Sequence, residues 1–154
     1  MEFTHIDPQG SPKMVDVGSK AISSRVATAE AVVWLPESVY AAMTAQNFHS
    51  AKGPVLQTAI IAGTQAAKKT ADLIPFCHPL AINGCTFSTE TQPQRLIIRC
   101  SVSVDGKTGV EMEALTAVSV AALTVYDMCK ALSAEIRIES VRLIHKRGGK
   151  SDVG

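Results

Sequence analysis

The 154-residue chain has no large excess of charge of either sign, since fifteen Lys and Arg face fourteen Asp and Glu. A net charge of +1 creates no general attraction to nucleic acid or to a membrane surface, so any anion site must be local. Aromatic residues make up only 5% of the chain, which leaves few side chains on which nucleic-acid bases could stack. Both features argue against nucleic acid as a partner.

The sequence shows neither a targeting signal nor a long apolar run. The first ten residues, MEFTHIDPQG, are polar and contain two acids, unlike a signal peptide. The longest weakly polar stretch, residues 114–125, is interrupted by hydroxyl side chains and falls short of the roughly 20 apolar residues that cross a bilayer. We therefore expect a cytoplasmic protein that does not act at a membrane.

Metal-binding patterns are missing as well. The four cysteines, Cys77, Cys85, Cys100 and Cys129, contain no Cys-x-x-Cys pair, and Cys77 is adjacent to His78 rather than at the spacing of zinc ligands. Cys100 and Cys129 lie in apolar patterns, where a buried free thiol is the ordinary interpretation. A chain of this length needs no disulfide to stabilise its core. The sequence predicts no metal site.

The length of 154 residues fits one domain, over residues 1–154, and the 46% of hydrophobic residues are slightly more than a soluble monomer needs, so subunit interfaces are expected to take the surplus. Residues 1–20, which contain two prolines and two glycines, are expected to form an irregular arm, and residues 147–154 a flexible glycine-containing tail. The elements predicted between them are a strand at 24–35, a short helix at 37–46, a loop at 47–53, a helix at 54–70, strands at 81–90 and 95–104, a helix at 113–133 and a strand at 136–146.

This order is a split βαβ arrangement with one extra short helix. It predicts an α+β, ferredoxin-like domain in which helices pack on one face of an antiparallel sheet. On the strand at 95–104, alternation predicts one buried face: Leu96, Ile98, Cys100, Val102 and Val104. On the two long helices, steps of three and four residues predict buried stripes: Val55, Ala59, Ala62 and Ala66, and Leu115, Val118, Ala122, Val125, Cys129 and Leu132.

Asp127 and Lys130 are three residues apart on the last predicted helix, so they project from nearly the same side. A carboxylate and an ammonium held together can accept and donate protons in one site. An exposed ion pair on a helix surface is the commoner explanation of such spacing. The flanking Tyr126, Met128 and Cys129 favour a functional role, but the residues alone leave both explanations open.

Glu111, Met112 and Glu113 follow a glycine turn at the start of the same helix. Acids in a first turn are explained by complementarity to the helix dipole. They could also accept hydrogen bonds from the N–H edge of a guanine-like ring. His78 lies between two prolines in the segment 74–80, where it could act as a general acid or donate to a phosphate, although a lone histidine is more often structural.

Lysines accompany the glycine-containing segments: Lys52, Lys107, Lys146 and Lys150. Glycine turns expose backbone N–H groups that bind phosphate oxygens, and nearby lysines add positive charge. The P-loop pattern Gly-x-x-x-x-Gly-Lys-Ser/Thr is absent. The Gly148-Gly149 pair is by default part of a frayed chain end, so phosphate binding at these places is a hypothesis.

Five segments resemble the molybdenum cofactor biosynthesis protein C family, the cyclic pyranopterin monophosphate synthases. They are THID, MVDV with Lys20, IAGTQAAKKTADLIPFCHPL, GKTGVEMEALTAVSVAALTVYDMCKAL and VRLIHKRGGKS. The resemblance covers nearly the whole chain, and its run over 107–130 is long and specific. The chain departs from the family pattern at the serines before Arg25 and in the tail, where no glycine follows Ser151.

The resemblance implies a ferredoxin-like subunit of a homohexamer, a trimer of dimers, with sites at subunit interfaces. It implies a lyase that converts 3′,8-cyclo-7,8-dihydro-GTP to cyclic pyranopterin monophosphate plus pyrophosphate and needs no redox cofactor. By matching motifs, Asp127 is implied to be the catalytic acid–base, assisted by Lys130. The implied substrate contacts are Phe76, Cys77, His78, Glu111, Met112 and Glu113, with Lys52, Lys68 and Lys146 serving phosphates or proton transfer.

Two other functions remain as alternatives. A ferredoxin-like module that binds nucleotides or nucleic acid without catalysis would need exposed aromatic side chains on its sheet, and the aromatic content is low. A structural subunit of another enzyme would show no turnover when purified alone. Turnover by the isolated protein therefore separates the lyase from both alternatives.

Overall fold

The computed structural model of the protein describes residues 3–154, so Met1 and Glu2 of the expected arm lie outside the described residues. Four long strands dominate it: β1 (Ser23–Trp34), β4 (Gly84–Gln92), β5 (Arg95–Gly106) and β6 (Arg137–Arg147). Two short strands, β2 (His49–Ser50) and β3 (Gly53–Pro54), form a separate hairpin. The helices of residues 3–154 are α1 (Glu37–Ala45), α2 (Val55–Lys68), α3 (Thr70–Leu73) and α4 (Glu111–Cys129).

The long strands form one antiparallel sheet in the order β4-β5-β1-β6. Helix α2 precedes the β4–β5 hairpin, and α4 connects β5 to β6. Helix α4 packs against β1, β5 and β6, and α2 packs against α4, so both long helices cover the same face of the sheet. This split βαβ topology confirms the α+β, ferredoxin-like prediction, with α1 as the extra short helix and the four-residue α3 as a further addition.

The buried face of the sheet follows from alternation along the two central strands. On β5 the predicted inward residues are all buried, which confirms that face. On β1 the inward residues are mostly small: Ala27, Ala29, Ala31 and Val33. Helix α4 faces them with small residues of its own: Ala114, Ala117, Ala121 and Ala122. Small side chains on both sides let the helix backbone approach the sheet closely.

The predicted buried stripe of α2 is wrong at one position, because Gly63 is buried where Ala62 was expected and Ala62 is only half-buried. A β-carbon at Gly63 would lie 2.5 Å from the Phe87 ring and 2.7 Å from the Ala117 carbonyl oxygen. The two helices and the sheet therefore meet at a point with no room for a side chain. The other three predicted positions are buried: Val55, Ala59 and Ala66.

Helix α4 spans Glu111–Cys129, so it begins two residues before the predicted start and ends four before the predicted end. Leu132 lies beyond its end and is 51% exposed, which makes its predicted place in the buried stripe wrong. The predicted loop at 47–53 contains the β2–β3 hairpin. Asn47 and Phe48 take φ values of +49° and +55° on the way into it, which turns the chain sharply after α1.

By length and composition alone, α4 is apolar enough to cross a membrane, with a mean hydropathy of 1.3 over 18 residues. The sequence-based expectation treated the hydroxyl side chains at 114–125 as interruptions, but they do not lower the mean hydropathy of α4 below that of a membrane-crossing helix. Half of this window is buried inside the domain, where α4 covers the central strands. Packing on the sheet therefore explains its apolar character.

On the opposite face of the sheet, the β1 carboxylate Glu30 is only 6% exposed. Arg99 of β5 donates to it at 2.7 Å and Arg142 of β6 at 3.0 Å. Burial raises the pKa of Glu30, but the two arginines outweigh that effect and hold the pKa below its ordinary value. This ion-pair cluster ties β5 and β6 to β1 on the face that α2 and α4 leave free.

Candidate active site

A cleft of about 690 Å³ opens at the N-terminal end of α4. Seven of the residues predicted to contact substrate line it together: Phe76, Cys77, His78, Glu111, Met112, Glu113 and Lys146. Three parts of the chain supply them, namely the segment between two prolines after α3, the first turn of α4 and the end of β6. The fold thus gathers into one cavity residues that are 70 positions apart in the sequence.

Glu113 is the buried carboxylate of this cleft, with 5% exposure. Burial raises its pKa, and the charge of Glu111 adds to that effect against a backbone hydrogen bond that lowers it. Burial, together with the charge of Glu113, also raises the pKa of the Cys77 thiol. Phe76 and Met112 are 41% and 36% exposed, so each presents apolar surface beside the carboxylate.

Glu111 is in a different state from Glu113, because Lys146 binds it at 2.7 Å. Burial raises the pKa of Glu111, but the hydrogen bond and charge of Lys146 more than offset this and leave the pKa below its ordinary value. Within residues 3–154, Glu113 has no ion-pair partner. Of the two acids, Glu113 is therefore the one free to accept a hydrogen bond from a ligand.

The basic part of the cleft is larger than the sequence-based prediction. Its cationic residues are Lys20, Arg25, Lys107, Lys146 and Lys150, which exceed the two carboxylates, Glu111 and Glu113, by three. Arg25 also donates to the carbonyls of Gly106 and Lys107 at 3.0 and 3.3 Å, which fixes the turn before α4. Arg25 stands beside no glycine turn, and Lys20, which closes the turn at Gly18 with a hydrogen bond from its backbone N–H to the Val17 carbonyl, was not among the lysines that the phosphate-site argument from sequence singled out.

The N-terminal arm forms one wall of the cleft through Thr4, His5, Val15 and Val17. Inside the arm, the Asp7 carboxylate accepts hydrogen bonds from two backbone N–H groups at 3.0 and 2.7 Å. The Lys107 ammonium donates to the Gly18 carbonyl at 2.9 Å and so attaches the arm to the turn before α4. The arm is irregular in secondary structure but docked on the domain.

A second group of predicted residues lies at the other end of α4. The Asp127 carboxylate accepts from Lys52 at 2.7 Å and from Lys130 at 2.8 Å, one lysine on each oxygen. The Lys52 ammonium also reaches the Asp127 carbonyl at 3.2 Å. Lys52 belongs to the β2–β3 hairpin, which brings it to α4. All three side chains are about half exposed.

The hydrogen bonds from Lys130 and Lys52 lower the pKa of Asp127 to about 2. Asp127 is therefore ionised throughout the neutral range, and the same contact raises the pKa of Lys130. The arrangement is a carboxylate held between two ammonium groups, one on each oxygen. A carboxylate of this kind can accept a proton from a ligand if one of the two lysines moves away.

The two groups are separate within one chain. Asp127 does not line the cleft, and it lies fourteen residues after Glu113 on a helix without a break. At 1.5 Å per residue, that spacing is about 21 Å along the helix axis. Lys68 lies in neither group, since it is exposed in the last turn of α2. Across residues 3–154, no three His, Cys, Asp or Glu side chains come together as metal ligands.

Comparison with known proteins identifies relatives over nearly the whole chain. The model of the MoaC family matches residues 14–149. A cyclic pyranopterin monophosphate synthase of Xanthomonas oryzae is 55% identical over 153 residues, covering 99% of this chain and 93% of the relative. One of Xanthomonas axonopodis is 53% identical with the same coverage. A molybdenum cofactor biosynthesis bifunctional protein of Synechocystis is 53% identical over 98% of this chain, which spans only 45% of that relative.

Proposed function

The chain belongs to the MoaC family, and from that membership we propose that it is a cyclic pyranopterin monophosphate synthase. The Xanthomonas relatives carry that name, and the Synechocystis relative is named for molybdenum cofactor biosynthesis. The protein is an enzyme of this pathway and acts on a small molecule. Its reaction is the conversion of 3′,8-cyclo-7,8-dihydro-GTP to cyclic pyranopterin monophosphate with release of pyrophosphate.

One observation carries this proposal: the cleft at the start of α4 combines the two chemistries that the substrate requires. A guanine-derived ring presents N–H groups, for which the unpaired, buried Glu113 is an acceptor. Phe76 and Met112 offer apolar surface to the flat ring, and Cys77 and His78 lie beside them. A triphosphate is strongly anionic, and the surplus of three positive charges in the cleft favours it.

Asp127 is the proposed acid–base catalyst, and Lys130 assists it. A carboxylate with a pKa of about 2 is a weak base, and the cause of that pKa is its contact with two lysines. A substrate phosphate that takes the ammonium of Lys52 would raise the pKa of Asp127 and make it a better proton acceptor. Lys52 would thus link phosphate binding to the pKa of Asp127.

The unbroken helix α4 supports a site shared between subunits. Because Glu113 and Asp127 stand about 21 Å apart, one chain cannot place both around one reacting ring. In an assembly of several copies, Glu113 of one subunit and Asp127 of the next can face the same substrate. We propose a homohexamer, a trimer of dimers, with its sites at the interfaces. Lys68, exposed in the last turn of α2, is likewise proposed to serve a phosphate.

The remaining parts of the proposal are a cytoplasmic location, no redox cofactor, and no nucleic-acid or membrane partner. The exposed apolar side chains of the long helices, Ile61 at 64% and Leu123 at 56%, support subunit contacts on the helical side. Single exposed apolar residues are ordinary on protein surfaces. The incomplete site is therefore the stronger support for the assembly.

The direct test is incubation of the purified protein with 3′,8-cyclo-7,8-dihydro-GTP. We expect equal amounts of pyrophosphate and cyclic pyranopterin monophosphate, without any added enzyme. Binding of the nucleotide without product would favour the non-catalytic nucleotide-binding alternative. Product that forms only when another protein is added would favour a structural subunit. Either result would reject the proposed activity of the isolated chain.

A further inference from the structure

The chain after β6 folds back on the domain instead of leaving it. Lys146 and Val153 exchange two backbone hydrogen bonds, of 2.9 and 3.0 Å, which close residues 147–152 into a loop. Three residues of this C-terminal loop line the cleft: Gly148, Gly149 and Lys150. The sequence alone suggested a flexible tail here, and its role was open. The structure shows a closed loop with one side in the cleft.

Gly148 seats the C-terminal loop on the start of β1. Its φ is +88°, a conformation that favours glycine. A β-carbon at this position would collide with the Ser24 carbonyl oxygen and lie 3.1 Å from the Cα of Arg25. The Ser23 hydroxyl donates to the Gly148 carbonyl at 3.1 Å, which also fixes Gly148 against the start of β1. Backbone conformation and close approach both require glycine at this point.

The contacts of Gly148 with β1 place the C-terminal loop beside two cationic side chains of the cleft, Arg25 and Lys146. A β-carbon at Gly149 would be 3.2 Å from Cε of Lys146 and 3.7 Å from Nη1 of Arg25. The backbone at Gly149 therefore lies beside both basic side chains, and Lys150 is the next residue. Lys146 is itself bound to Glu111 in the first turn of α4. The loop, the two cations and the helix start form one continuous surface.

This surface has the chemistry of a phosphate site. Glycine-rich backbone presents N–H groups to an anion, and three cationic side chains, those of Arg25, Lys146 and Lys150, surround it. We propose that the C-terminal loop is a preset part of the site for the substrate's phosphate chain, and that Gly148 is the positioning residue that seats it. This inference rests on the proposed function, since it names which part of the cleft takes the phosphates.

Affinity for inorganic triphosphate, measured by calorimetry on the intact protein at low and high salt, tests the proposal. Gly148→Ala and Lys150→Ala should each weaken binding on the order of tenfold at low salt, and less at high salt. In the double variant, the loss should be no larger than in Gly148→Ala alone, because Lys150 has already left the site. Gly10→Ala is the control, since Gly10 also has a positive φ, +81°, but faces open space; it should bind like wild type.

Ser23→Ala removes only the hydroxyl contact to Gly148, so it offers a folded variant if Gly148→Ala unfolds; we expect a smaller loss in the same direction. In turnover, Gly148→Ala should raise KM, because it removes contacts to the phosphate chain of the bound substrate. The proposal would be overturned if the double variant lost triphosphate affinity by the full product of the two single losses. It would also be overturned if triphosphate affinity were unchanged in both Gly148→Ala and Ser23→Ala. Wild-type protein without turnover would reject the proposed function, while the triphosphate measurements would still decide the role of the loop.

Discussion

Lys52 contacts Asp127 across 75 positions of sequence, with its ammonium on both the carboxylate, at 2.7 Å, and the main-chain carbonyl, at 3.2 Å. Lys130 holds the other carboxylate oxygen at 2.8 Å. Because all three side chains are about half exposed, water screens these contacts and their contribution to stability is small. The proposed role of these charges is therefore in proton transfer, and it can be tested apart from folding.

Asp127→Asn should therefore keep the fold and lose turnover by about 10²–10⁴-fold. The amide has nearly the same shape as the carboxylate but cannot accept a proton. The measurements are kcat with 3′,8-cyclo-7,8-dihydro-GTP and the thermal midpoint. Asp72→Asn, at an exposed helical aspartate, is the control and should change neither. Activity above a tenth of wild type would reduce Asp127 to an ion-pair partner of the two lysines.

Glu113→Gln and Glu111→Gln should shift stability in opposite directions at neutral pH. The pKa of Glu113 is raised, so its protonated form is favoured in the folded protein, and stability is lost as pH rises from 4.5 through the folded pKa. Glutamine removes that loss and should raise the thermal midpoint. The pKa of Glu111 is lowered by Lys146, so its ionised form stabilises the fold above pH 4.5, and glutamine should lower the midpoint.

Thermal melts of both variants at pH 7 and at pH 4 test this pair. As pH falls, both differences from wild type should shrink, because the carboxyl groups become protonated. Glu113→Gln should also weaken binding of the guanine-derived substrate, since the amide N–H₂ opposes the donor edge of the ring. A more stable protein with weaker binding is a result that a merely structural Glu113 would not give.

Subunit mixing tests the shared site directly. Glu113→Ala and Asp127→Asn should each be inactive alone. After unfolding and refolding the two together in equal amounts, about a quarter of the sites would contain both intact residues, so activity should return toward that fraction. Refolding each variant alone is the control. If mass spectrometry finds mixed assemblies and no activity returns, Glu113 and Asp127 do not share a site across subunits.

Gly63→Ala should destabilise the domain by about 1–3 kcal/mol, since the added methyl group meets the Phe87 ring and the Ala117 carbonyl. The helix-propensity gain of alanine over glycine is about 1 kcal/mol and acts in the opposite direction. Chemical denaturation measures the difference. Gln57→Ala, at an exposed position of the same helix, is the control. A stabilised Gly63→Ala would show that α2 and α4 have room to separate.

The strands were predictable because each side of a β-strand has its own burial, and β1 and β5 display that alternation clearly. The close contact at Gly63 was not predictable. Hydrophobic spacing is read from side chains, and Gly63 permits the contact because it has no side chain. Leu132 was misplaced because the apolar spacing continues past Cys129, where the helix ends. Local patterns thus identify elements well and their ends less well.

For the site, the resemblance of motifs named the residues, but only the fold could group them. Lys52 pairs with Asp127 because a short hairpin carries it there, and no local pattern encodes a contact over 75 residues. Arg25 was missed because it stands beside no glycine turn, and Lys20 was quoted in a family motif without being assigned to a phosphate. Arg99 and Arg142, which neutralise Glu30, likewise come from different strands and were invisible to spacing arguments.

Because one continuous helix joins Glu113 and Asp127, the length of α4 sets the distance and the angle between these two acids. One inserted residue would turn one end by about 100° relative to the other and lengthen the span by about 1.5 Å. Insertions and deletions in surface loops outside the cleft and the β2–β3 hairpin should be tolerated, while a change of even one residue within α4 should misalign Glu113 and Asp127 in the proposed shared sites. We therefore expect members of the family to vary in their loops and to keep fourteen positions between these two acids.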